Sequence, residues 1–212
     1  MRGKNGKYLL ALNAHPKIGG QTIKKVLAAY SDVEKLWTSS DQNITLKLEP
    51  KTAALVIEAR NQYDPEEELE KLKKYDIGYI TLYDKSSPAL LKEAPDCPAV
   101  LYIRGNVDSL KNASLAIVGS RKYTSYGKRI AYQLSKSCAE AGLAIISGLA
   151  LGIDGEAHRA AIEAGAITVG VLACGLDRVY PVSHYQLAED IIKNNGAVIS
   201  EQPPGTPAFQ QN

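Results

Sequence analysis

Two periodicities divide the chain. From Tyr8 to Tyr75 apolar residues recur at three- and four-residue spacing, in "KYLLALNAH", "QTIKKVLAAY" and "EPKTAALVIEAR". That spacing predicts amphipathic helices. "DPEEELEKLKKY" adds a further helix, with Asp64 as N-cap, Pro65 at its first position, acids in its first turn and lysines in its last. After Tyr75 the period shortens. "IGYITLY" (77–83) and "PAVLYI" (98–103) read as strands, joined by a proline-broken loop or short helix, "SSPALLKEAPDCP". Strands at 115–118, 143–147, 167–172 and 197–200 then alternate with helices at 125–141, 153–164 and 183–195. These strands are continuous apolar runs, so both of their faces are expected to be buried. The predicted fold class is α/β, a Rossmann-like parallel sheet with helices on both faces, preceded by a small all-α domain. The division is placed at residues 1–65 and 66–212, with the junction inside 60–75.

In a parallel sheet the C-terminal strand ends share one edge, where open α/β sheets bind ligands. The four ends here read "GSRK" (119–122), "SGLALGID" (147–154), "ACGLDRVYP" (173–181) and "SEQPPGTP" (200–207). Each begins with small residues. Gly119, Gly148, Gly152, Gly175 and Gly205 allow backbone to approach a ligand closely. Helices starting just beyond aim N–H groups at the same crevice, which suits a phosphate. Arg121 stands in the first turn, where a guanidinium can fork onto phosphate oxygens, or alternatively pin a carboxylate such as Asp154. Lys122 is beside it. Lys128 and Arg129 follow, with a solvated helix face as their other reading. Tyr123, Tyr126 and Tyr180 offer faces on which bases can stack.

Other chemistries find little support. The run from Gly119 to "GK" at 127–128 has the wrong length for a P-loop, and no G-x-G-x-x-G follows the first strand. His15, His158 and His184 are scattered, so no metal site is expected, and no cofactor either. Asp154 and His158, four apart, are either an acid–base pair or an N-cap with a supporting histidine. The turn "HPKIGGQT" partly matches a helix-hairpin-helix, with Lys17 at the place of that motif's first glycine; an ordinary helix–helix turn is the other reading. Over the 212 residues the net charge is only +2, so any basic surface is local. Three separated cysteines without C-x-x-C spacing, together with no apolar run of about 18 residues and no signal-peptide pattern, fit a cytoplasmic protein with reduced thiols.

The motifs "AIVGSRKYTSYG", "SGLALGIDGEAHRAAIEAG", "VLACGLDRVYP" and "SEQPPGTP", in that order, resemble the DNA-processing protein A family (DprA, also called Smf). "PALLKEAPDCPAVLYIRG" resembles the segment leading into that family's Rossmann-like domain, and the helical N-terminus its SAM-like or helix-hairpin-helix domain. The resemblance implies a non-enzymatic, single-stranded DNA binding protein of natural transformation. Such a protein protects incoming strands, helps to load the RecA recombinase and works as a homodimer. The family's G-S-R loop falls on Gly119, Ser120 and Arg121. Its S-G-L-A-x-G-I-D-x-x-A-H stretch runs from Ser147 through Gly148, Gly152 and Asp154 to His158, with Leu151 where arginine is frequent. Gly175 completes the expected DNA-binding set, with Lys122 from the first turn. The family continues after "PPGTP" with a Phe-Pro-x-Arg-Asn-Arg stretch, whereas this sequence reads "AFQQN"; loss of that stretch is expected to remove part of the DNA site. The alternative from another class is a nucleotide-processing enzyme on the same fold, with Glu201 or Asp154 as the acid or base.

Overall fold

The computed structural model describes residues 6–208. Six helices come first: α1 (Gly6–Ala14), α2 (Gly20–Ala29), α3 (Val33–Thr38), α4 (Asp41–Lys47), α5 (Pro50–Gln62) and α6 (Pro65–Lys74). Leu9, Leu10 and Leu12 of α1 are buried with Ile23, Val26, Leu36, Ile44 and Val56 of the helices after it. The end signals of α6 act as predicted: the Asp64 carboxylate accepts from the N–H groups of Glu66 and Glu67, at 2.8 and 3.1 Å. Leu72 is buried, and α6 packs on α1. The glycine turn before α2 has a packing reason. A Cβ at Gly20 would stand 2.7 Å from the Cys97 carbonyl oxygen, and the side chains of Gln21 and Lys24 donate to the carbonyl of Pro95.

The strands are β1 (Gly78–Thr81), β2 (Val100–Gly105), β3 (Ser114–Ala116), β4 (Ala144–Ser147), β5 (Thr168–Leu172) and β6 (Ala197–Ser200). They form one sheet in the order β1-β2-β6-β5-β4-β3. A five-residue helix, α7 (Ala89–Glu93), fills the proline-broken segment. The crossovers are α8 (Ser125–Glu140), α9 (Ile153–Glu163) and α10 (Tyr185–Lys193), the last entered through a 3-10 turn at Val182–His184. β3 to β6 are parallel, with Ile145 opposite both Leu115 and Thr168, and Gly170 opposite Val198. β2 joins β6 antiparallel. Each crossover steps one strand in the same direction. Right-handed connections then carry α8, α9 and α10 on one face, where α9 lies between the other two. Ala157 and Ala161 of α9 pack with Ile117, Ala139 and Ile145 in the core beneath it. The Rossmann-like α/β fold is the one expected, but these three crossover helices share one face of the sheet instead of lying on both.

Two further details differ from the sequence reading. β3 is an edge strand and all three of its residues are exposed, because nothing described pairs with its outer side. Its apolar run therefore does not mean burial on both faces. The chain also divides into two compact units, residues up to Leu101 and residues from Tyr102. The break in periodicity near 65–75 lies inside the first of them.

Candidate functional site

The four strand ends predicted to share an edge do so, because β3 to β6 run parallel. Their loops are bound to one another in pairs. Ser147, at the end of β4, donates through Oγ to the Ile117 carbonyl at 2.6 Å. Asp154 is not an N-cap. Gly152 holds that position, and Asp154 sits in the first turn of α9 with its carboxylate turned back to the loops. There it accepts from Gly119 N–H at 3.3 Å and Gly148 N–H at 3.1 Å. Both glycines were expected to meet a phosphate; the carboxylate already uses their N–H groups. A Cβ on Gly148 would stand 2.7 Å from Asp154 Oδ2. Gly152 takes φ +88°, and a Cβ there would fall onto the Ser120 carbonyl. Beside that contact, Ile153 N–H donates to the same carbonyl at 3.2 Å. Loops 119–122 and 148–152 are thus one body.

The other two loops are joined in a similar way. Gly175 N–H donates to the Thr206 carbonyl at 3.0 Å, and Gly205 N–H to Asp177 Oδ1 at 2.8 Å. Burial acts to raise the Asp177 carboxyl, but the Gly205 N–H and the Arg178 guanidinium outweigh it and hold the group below the usual range. Between the loops lies a cavity of about 130 Å³, lined by Arg121, Gly148, Ala150, Leu151, Tyr180 and Pro181 among others. Cys174 also lines it; burial pushes its thiol up, so the sulfur is protonated and inert near neutral pH.

The cations sort themselves by their partners. Lys128 and Arg159 both turn to Glu156, at 3.6 and 3.2 Å, and Tyr123 donates to the same carboxylate at 3.2 Å. Arg129 lies 5.7 Å from the centroid of the Tyr126 ring. Arg121 and Lys122 are exposed, and neither side chain has a hydrogen bond or ion pair among the described residues. Arg121 does not pin Asp154. Ser120 shapes its own turn, its Oγ accepting from Lys122 N–H at 3.1 Å and donating to the Lys122 carbonyl at 2.6 Å. Leu151 stands at the rim, 46% exposed, so this position contributes apolar surface rather than charge.

His158 lies under the floor, fully buried. Thr168 Oγ1 donates to the Ile145 carbonyl at 2.7 Å and receives the His158 Nδ1–H at the same distance. Burial, and then His184 nearby, lowers its pKa to about 3, so the ring is neutral. A buried neutral ring bonded to threonine, beside an aspartate engaged with two amides, is a support and not an acid–base pair. Sequence reasoning missed Glu156, Leu149 and His184. A non-glycine residue in the left-handed region, as Leu149 is at φ +55°, leaves no mark in the sequence. Among the described residues no group of three potential metal ligands comes together.

The sequence pattern of the family described as DNA recombination-mediator protein A matches residues 78–212, from β1 through all four crevice loops. The chain belongs to that family. Similar proteins of the DNA recombination-mediator family include DNA processing protein DprA of Bacillus subtilis (strain 168). It is 41% identical over 131 residues, covering 61% of this chain and 44% of the relative. Protein Smf of Synechocystis is 31% identical over 214 residues, covering 97% of this chain and 53% of the relative. The chain spans about half the length of these curated relatives. The X-ray structure of DNA processing protein A from Streptococcus pneumoniae superposes with a TM-score of 0.78 at 30% identity, over 96% of this chain and 70% of that one. A Helicobacter pylori DNA processing protein A, solved in work on its single-stranded DNA binding mode, gives 0.55 at 30% identity, over 62% and 59%.

Proposed function

We propose that this chain binds single-stranded DNA in the crevice and catalyses no reaction there. The carrying observation is an exposed guanidinium, Arg121, with no hydrogen bond or ion pair among the described residues, in the lining of the crevice cavity. Ser120, Arg121 and Lys122 would meet phosphate, while Gly119, Ser147, Gly148, Gly152, Asp154, His158 and Gly175 hold the floor in shape. The cations are sequence-blind, and the apolar wall with Tyr180 offers a stacking surface that any base can use. The single-strand theme of the H. pylori relative supports the same reading.

In the cell, the role that follows is receipt and protection of single strands during natural transformation, with loading of the RecA recombinase as its outcome. The protein would act in the cytoplasm as a homodimer; among the described residues, no helix is long and apolar enough to cross a membrane. The helical and Rossmann-like parts act as two domains, and the division between compact units at Leu101 and Tyr102 favours a later boundary than residue 65. The deciding experiment is a fluorescence-anisotropy titration with oligo-dT and with duplex of equal length, across a salt series. Salt-dependent preference for the single strand, with no product from nucleotides, is expected. Turnover of a nucleotide, or equal affinity for duplex, would overturn the proposal.

A further inference from the structure

His184 lies 35 residues from the loop it touches and is 5% exposed. Its Nδ1–H donates to the Leu149 carbonyl at 2.9 Å. Leu149 is held in the left-handed region with its side chain wholly buried, a conformation that leucine resists. The two residues that follow, Ala150 and Leu151, line the cavity, and so does Gly148 before it. The other ring nitrogen, Nε2, faces the Arg159 guanidinium at 3.4 Å and accepts from it. Arg159 continues to Glu156, and Glu156 receives the Tyr123 hydroxyl. The ring fits only because residue 155 is glycine: a Cβ there would stand 2.8 Å from His184 Cε1. One imidazole is therefore tied to the 148–151 wall on one side and, through two charged groups, to the tyrosine of the first loop on the other. It is not itself part of the cavity lining.

We propose that His184 is a positioning residue for the crevice: it holds the Leu149 kink and, through Arg159 and Glu156, the place of Tyr123. Affinity for a single strand then depends on a side chain that does not meet the ligand. This rests on the single-strand reading above. The test measures oligo-dT anisotropy across salt for the whole chain carrying His184→Ala or His184→Asn. Alanine loses the hydrogen bond to Leu149, and affinity is expected to fall about tenfold. The salt slope should stay at its wild-type value, since no phosphate contact is removed. Asparagine places an amide N–H close to where Nδ1–H was and is expected to restore most of the affinity.

Wild-type affinity in His184→Ala overturns the proposal. So does a lowered salt slope, which would mean a direct phosphate contact, or a loss in the asparagine variant equal to that in alanine. Should the alanine variant fail to fold, the asparagine variant decides alone, near-native affinity supporting the proposal and a tenfold loss overturning it. If the wild-type chain does not bind oligo-dT, the single-strand reading fails first. The kink is then read by amide hydrogen exchange at Gly148 and Ala150. Faster exchange in the alanine variant, restored by asparagine, supports the positioning role, and unchanged exchange overturns it.

Discussion

At the residue scale the crevice separates contact from support. Arg121 is available for contact, so Arg121→Ala is expected to weaken binding of every single-stranded sequence about equally. The loss of a charge-assisted hydrogen bond is about 1.5–3 kcal/mol, or roughly tenfold to a hundredfold. The salt slope should fall by about 0.7, the value for one phosphate on a single strand. Lysine should rescue only in part, and the melting temperature should hardly move. Gly152→Ala acts on support. Its φ of +88° and the Ser120 carbonyl both oppose a side chain, so about 1–3 kcal/mol of stability should be lost in urea unfolding, with binding weakened as loop 119–122 is displaced. Arg121 was legible in the sequence because a cation in a small-residue turn has few structural uses. Asp154 and His158 were visible with two readings open; the supporting histidine is one of them, whereas the N-cap reading of Asp154 fails. Four-residue spacing says that two side chains share a helix face, but it does not reveal the amides and the threonine awaiting them. Glu156 looked like any acid in a first helical turn, and only the fold brings Lys128, Arg159 and Tyr123 around it.

Among the elements, the alternation of strand and helix was readable because each strand is a short apolar run and the segments between them carry helical spacing; of the three crossover helices only α8 opens on a side-chain cap, Thr124. The status of β3 was not, since an edge strand and a central one can have the same composition. On α8, Tyr126, Ile130 and Leu134 recur at four-residue spacing yet are 66, 39 and 51% exposed. Leu134→Lys should therefore change unfolding free energy by no more than about 0.5 kcal/mol. Ile145→Ala, in the core under α9, should cost about 2–5 kcal/mol. Equal effects of the two substitutions in urea titrations would mean that this face of α8 is covered after all.

For the whole molecule, acid sensitivity should trace to His158. Its folded value, about 3, lies below the ordinary 6.5 because the buried ring resists charge. Above pH 6.5 this group costs nothing. As pH falls from 6.5 toward 3 the unfolded chain takes up a proton that the folded one refuses, and stability drops by up to about 1.4 kcal/mol per pH unit. Urea midpoints at pH 7.5 and 5 should show that limb, and His158→Gln should flatten it. Proteolysis should begin between residues 84 and 96, where Lys92 and Leu90 are exposed, and spare 60–75, where Leu72 is buried and Ile77 N–H bonds the Leu72 carbonyl. A first cut at 60–75 would instead support the junction that periodicity alone predicts.

The shared carboxylate of Asp154 and the backbone contact at Gly152 also bear on time. Two loops joined through one carboxylate and one carbonyl are expected to keep a single form, with no open and closed states between which a ligand must choose. A single strand should then arrive at a finished surface, and stopped-flow mixing should give one phase, with an observed rate rising linearly with DNA concentration and showing no plateau. Added salt should slow that arrival, because an unpaired cation at the mouth draws the phosphates in before any contact is made.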